Sequence, residues 1–150
     1  MPKRHEIDRR AHTTASPAAV YAMLLDRPTW PTWSPLDGFQ HETDGDSGPN
    51  SLGAIGTFST GRKRSREEIV ELIPDRRLSY TLLSGLPLQG YRADIDITPD
   101  EQGCTIRWQS TFGARPGSGW IYRLVLGTFI QRMVDGLATA AATHPTERAA

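Results

Sequence analysis

No disulfide can close within this chain, because Cys104 is the one cysteine among its 150 residues. That usage fits a reducing compartment. A charge excess is missing as well: 17 Lys and Arg balance 17 Asp and Glu. Nucleic-acid and membrane-surface proteins draw on a basic surplus, so composition argues against both classes. No apolar run reaches the roughly 20 residues that cross a bilayer, and the opening MPKRHEIDRR lacks the apolar stretch of a secretory signal. Histidine is scarce, and His5, His12, His41 and His144 fall in separate segments without metal-binding spacing. A Gly-x-Ser-x-Gly elbow, a P-loop and a dinucleotide fingerprint are all absent. These absences leave the expectation of one cytoplasmic domain over residues 1–150, with no metal and no cofactor. Its ordered core is expected near residues 4–143, ahead of a tail whose Pro145, Glu147 and Arg148 read as frayed, solvated chain.

What is present is a run of short, well-punctuated elements. Arg4 to Thr13 alternates around Ile7 as a charged, half-exposed strand. Ser16 is a natural helix N-cap and Pro17 suits the first helical position, where its missing N–H costs nothing. AAVYAMLL follows as a short helix with Val20 and Leu24 on its apolar stripe, stopped at Asp26 and Pro28. Thr29 to Trp33 can form one further helical turn. Strands are expected at Phe39–Glu42, Ala54–Thr60, Ser65–Ile73, Leu78–Leu83, Tyr91–Ile97 and Cys104–Phe112, with turn formers between them. In the last of these, Cys104, Ile106, Trp108 and Phe112 share one face, while Arg107 and Gln109 share the other. From Ser118 onward no proline interrupts, and Leu126, Phe129, Ile130, Met133 and Leu137 recur at helical spacing.

An antiparallel meander followed by one long helix must lay the apolar face of that helix on the sheet. The segments SPAAVYAMLLDRPTWPTWSPL, GTFSTGRKRSREEIVELIPDRRLSYTLLSG and TFGARPGSGW, with the helix behind them, resemble the START/Bet v 1-like superfamily. This group is also called SRPBCC or polyketide cyclase/dehydrase-like. The resemblance implies an α+β helix-grip fold: a curved antiparallel sheet of about seven strands around a long C-terminal helix, with two short helices after the first strand. It also implies a cavity between sheet and helix for a hydrophobic ligand. A Trp before Ser-Pro is a hallmark of the group, which makes Trp33 a structural anchor.

Several constellations are set aside on chemistry. Cys104, on the core face of a strand, behaves as a small inert hydrophobe. Asp94 and Asp96 alternate with Ala93, Ile95 and Ile97, so they point to water. The cluster Arg62-Lys63-Arg64-Ser65-Arg66, followed by Glu67 and Glu68, reads as a solvated hairpin tip with local charge pairing. Gly117-Ser118-Gly119 reads as a tight, capped helix start, with Arg115 beside it a candidate for an acidic ligand head. The ligand-binding candidates are Phe58, Tyr80, Tyr91, Trp108 and Phe112 from strands, with Phe129 and Met133 from the helix. Buried Tyr and Trp need polar partners, and an interior rich in them is often a ligand-lined pocket.

The leading expectation is binding of a small hydrophobic or aromatic molecule, lipid or polyketide-like. The protein is expected to act as a monomer or homodimer, with no nucleic acid partner and no stable membrane insertion. The rival is a polyketide cyclase, aromatase or related lyase in the same cavity, with Tyr80, Tyr91 and Arg107 as catalytic candidates. A third reading, a stress- or toxin-related interaction protein, rests on the exposed basic hairpin.

Overall fold

The computed structural model describes residues 4–143; the expected frayed tail and His144 lie outside the described residues. Strand β1 (Arg4–Thr13) leads into α1 (Pro17–Leu25), a 3-10 turn (Arg27–Thr29) and the single-turn α2 (Trp30–Trp33). Six strands follow: β2 (Gly38–Thr43), β3 (Ile55–Thr60), β4 (Lys63–Ile73), β5 (Arg77–Ser84), β6 (Gln89–Asp100) and β7 (Gly103–Gly113). The chain then forms α3 (Gly119–Ala142), 24 residues long. The seven strands make one antiparallel sheet in the order β1-β7-β6-β5-β4-β3-β2, so the first strand closes on the last. This is the α+β helix-grip arrangement.

Local chemistry explains the helix boundaries. Ser16 Oγ accepts a hydrogen bond from Ala19 N–H at 3.1 Å, satisfying one of the free donors at the start of α1. Ser118 precedes α3 but caps differently from expectation: its hydroxyl donates to Arg115 C=O at 2.8 Å and leaves the helix N–H groups unbonded by a side chain. Trp30 is buried in the core and its indole N–H donates to Leu24 C=O at 3.1 Å, which ties α2 back onto α1. Trp33 lies half-buried beside it, and Gly136 on α3 packs against the Trp33 carbonyl. A side chain at position 136 would collide with that backbone oxygen, so the missing Cβ sets how closely α3 approaches α2.

The strands alternate as the pattern requires. Ala93, Ile95 and Ile97 of β6 and Cys104, Ile106, Trp108 and Phe112 of β7 point into the core beneath α3. Ile130, Met133, Val134, Leu137 and Ala138 of α3 cover them. The opposite face of the sheet carries charge. There Arg77 binds Asp96 (Nε–Oδ1 2.6 Å), Arg92 binds Glu71 and Asp94 (2.8 and 3.1 Å), and Arg107 binds both carboxylate oxygens of Asp8 (2.6 and 2.9 Å). Asp94 and Asp96 are thus held in surface ion pairs, away from the interior.

Candidate functional site

A cavity of about 60 Å³ lies between the sheet and α3. Six of the seven expected ligand contacts line it: Phe58, Tyr80, Tyr91, Trp108, Phe129 and Met133. Phe112 does not. It is fully buried behind the cavity, stacked on Tyr91 at a centroid distance of 6.1 Å and tilted against His5 at 5.5 Å. Toward the start of α3 the cavity continues into a groove of about 400 Å³. The two share Thr60, Ser65, Leu86, Leu126 and Phe129, and the groove forms the cavity mouth.

Arg107 has no place in this site. It alternates with inward Trp108 on β7, so its guanidinium projects from the far side of the sheet onto Asp8. Arg115 is exposed and lines neither the cavity nor its mouth.

The polar atoms in the cavity wall form a short relay. Trp108 Nε1 donates to Tyr80 Oη at 3.3 Å, and Tyr91 Oη pairs with Ser110 Oγ at 2.9 Å. The Tyr80 and Tyr91 rings lie 6.3 Å apart. Burial lifts both phenols: Tyr80 stands well above its ordinary 10.0 and Tyr91 is pushed up to about 12. Both therefore remain protonated across the physiological range and keep an O–H that can donate to a ligand.

Glu67 is the residue that sequence reasoning placed wrongly. It belongs to the charged run on β4, yet it pairs with Leu82 of β5 and lines the cavity with Tyr80 and Tyr91. The residue as a whole is half-buried and lines the cavity. Burial pushes its carboxyl from 4.5 up to about 8, and the positive charge of Arg27 only partly offsets this. Among the described residues no side chain hydrogen-bonds that carboxyl. A signal existed, since alternation back from buried Ile69 puts Glu67 inward. It was masked because Ile69 and Val70 are both apolar, leaving two possible phases.

Arg27 was equally hidden, inside the helix-stopping Asp-Arg-Pro. It is buried, and its guanidinium donates to Ala54 C=O at 3.3 Å and Glu67 C=O at 3.4 Å while lying 5.2 Å from the Phe39 ring centroid. Trp30 also reaches the cavity wall, stacked on Phe58 at 4.9 Å and edge-on to Trp108 at 5.6 Å. Among the described residues no cluster of His, Cys, Asp and Glu could hold a metal.

A family model described as polyketide cyclase / dehydrase and lipid transport matches residues 4–144. The chain belongs to this family. Curated proteins give no match. Among solved structures, this member of the polyketide cyclase/dehydrase and lipid transport family is similar to a solution NMR structure from Thermobifida fusca. The two are 23% identical with a TM-score of 0.78 over 93% of this chain and 95% of that one. It is also similar to a norcoclaurine synthase mutant from Thalictrum flavum in complex with a transition state analogue (14% identity, TM-score 0.78, 97% and 98% covered). The di-domain aromatase/cyclase StfQ from the steffimycin biosynthetic pathway matches at 16% identity and TM-score 0.76, over 95% of this chain and 52% of that one. At these identities the likeness establishes the fold, and function must be argued from the site.

Proposed function

We propose that this family member binds a small hydrophobic or aromatic molecule bearing a carbonyl or hydroxyl group, seated under α3 with its polar end against Tyr80, Tyr91 and Glu67. The observation that carries the reading is an enclosed carboxyl with no side-chain hydrogen bond beside two phenols in a largely apolar cavity, which opens into a mouth lined by both apolar and basic side chains. Size narrows it further. At about 60 Å³ the inner cavity is smaller than the roughly 150 Å³ apolar cavity that holds benzene, so a ring-sized ligand spans cavity and mouth together.

A second reading, acid–base catalysis on a polyketide-like substrate, gains from Glu67. A carboxyl near pH 8 is mostly protonated at neutral pH and can donate to a carbonyl oxygen, then take a proton back as an adjacent carbon enolises. Tyr80 and Tyr91 would hold the developing oxyanion as neutral donors.

Thermal shift with naphthol, anthraquinone and fatty-acid probes tests binding, alongside native mass spectrometry of protein purified from its own host. Saturation at about 100 times Kd is expected to add roughly 2.7 kcal/mol of stability. Tyr91→Phe and Tyr80→Phe should each weaken the binding several-fold while the chain stays folded. Catalysis would show as turnover lost in Glu67→Gln with affinity retained. No stabilisation by any probe, and no co-purifying molecule, would overturn the cavity reading.

A further inference from the structure

Most of α3 is apolar on one face, but its first turns are apolar on two. Trp120, Ile121, Leu124 and Val125 are 58, 46, 64 and 59% exposed, although the opposite side of the helix carries the core contacts. Spaced one, three and four residues apart, they form one continuous ridge. Single exposed apolar side chains are ordinary, whereas a ridge of four marks a surface that something covers.

The charge around the ridge is mainly positive. The cavity mouth is built from the β3–β4 hairpin, the β5–β6 loop and the start of α3, with Arg62 and Lys63 facing Tyr122, Val125 and Leu126 across the groove. Residues 60–64, 83–90 and 113–128 contain Arg62, Lys63, Arg64, Arg115 and Arg123 and no Asp or Glu, in a chain whose total charge is zero. Among the described residues the one acid bonded to this hairpin tip is Asp37, which accepts from Gly61 N–H and leaves an excess of positive charge. All five basic residues are exposed, and none is in an ion pair among the described residues. The basic hairpin set aside as a solvated tip therefore faces the start of α3 across the mouth, with Arg115 just ahead of that helix and Arg123 on it adding to a basic rim around the ridge.

The geometry points to reversible docking of this face on an anionic bilayer, the ridge of Trp120, Ile121, Leu124 and Val125 entering the headgroup boundary and the basic rim lying over anionic headgroups. An apolar ridge within a basic rim is the chemistry of such contacts, and Trp favours the interface. A second copy fits poorly, because a two-fold dimer through this patch would set the two basic rims against each other. The ridge also presents almost no hydrogen-bonding side chain for a folded partner to match. No helix among the described residues is long and apolar enough to cross a membrane, so the contact is peripheral. In this orientation the mouth faces the bilayer, and an apolar occupant would pass between lipid and cavity without crossing water.

The test uses the full chain and vesicles of phosphatidylcholine alone or with roughly 30% phosphatidylglycerol. The expected result is co-sedimentation with the anionic vesicles only, released as salt rises from about 50 to about 500 mM. Trp120 is the most exposed of the four tryptophans, so binding should shift the emission to the blue, and Trp120→Phe should remove most of that shift. The double variants Arg62→Glu/Lys63→Glu and Leu124→Ser/Val125→Ser should each weaken binding about tenfold or more. Both alter exposed side chains, and an unchanged melting temperature would confirm that they fold. Absence of binding, or equal binding to neutral and anionic vesicles, would overturn the proposal. So would conversion of a dimer to a monomer by Leu124→Ser/Val125→Ser with vesicle binding unchanged. Because no ligand is added, failure here leaves the cavity reading standing.

Discussion

Replacing Glu67 by Gln tests the electrostatics of the cavity most directly. In the unfolded chain this carboxyl titrates near 4.5, and in the folded protein burial holds it to about 8. The folded state therefore keeps a proton that the unfolded state has lost. By linkage, stability falls as pH rises from 4.5 to about 8 and levels off above that. At about 1.4 kcal/mol per pH unit, the full separation corresponds to roughly 4–5 kcal/mol, an upper figure that any water admitted to the cavity would reduce. The glutamine side chain has nearly the same shape and cannot ionise, so the Glu67→Gln variant should lose this slope. Near pH 4.5 the two proteins should be equally stable. By pH 8 the variant should be the more stable by several kcal/mol, which at about 2–4 °C per kcal/mol is a gap in Tm of about 10 °C. Asp8 acts in the opposite sense and in another window: its hydrogen bonds from Arg107 hold it below 3.8, so the stability it adds is lost only in acid. Urea melts of both proteins between pH 4.5 and 8.5 supply the comparison. Parallel curves across that range would mean that Glu67 is ionised in the folded protein, and the neutral-carboxyl chemistry proposed for the cavity would fall with it.

Two further outcomes follow from packing. Gly136→Ala adds a good helix former at a helical position, yet its Cβ would strike the Trp33 carbonyl. We expect a loss of about 1–3 kcal/mol in chemical denaturation, against the gain of about 1 kcal/mol on a free helix. A variant as stable as the parent would show that α2 yields easily. Cys104 is fully buried, its Sγ–H directed at Ala15 C=O at 3.4 Å, and burial pushes the thiol up to about 11. A thiol reagent at pH 8 should leave the folded protein unlabelled and react fully in denaturant. Rapid labelling of the native chain would contradict that burial.

The local order of this protein could be read from its residues. Tyr91 to Ile97 alternates too cleanly to be anything but a half-buried strand, and the Ser16-Pro17 start and the spacing from Leu126 to Leu137 mark their helices. These signals are short-range, because they follow from the two-residue period of a strand and the cap chemistry and 3.6-residue period of a helix. Trp30 and Trp33 could be seen as anchors of a proline-bounded turn for the same reason. Which residues meet in the cavity depended on register and layer packing instead. Val70 has no partner in the β4–β5 register, and Ile69 and Val70 together blur the phase, so the direction of Glu67 emerges only when β4 is paired with β5. Arg107 went the other way: its alternation with Trp108 was visible, but only the paired β1 and Asp8 showed what holds it outside. Composition counted 17 charges of each sign and gave no hint that five positive ones gather at one end. Sequence determined the elements and, where the alternation was unbroken, their faces, through interactions a few residues long. Only the tertiary fold decided which charges are buried, which are paired and which gather at one end, because burial and electrostatic environment are set by neighbours distant in the chain.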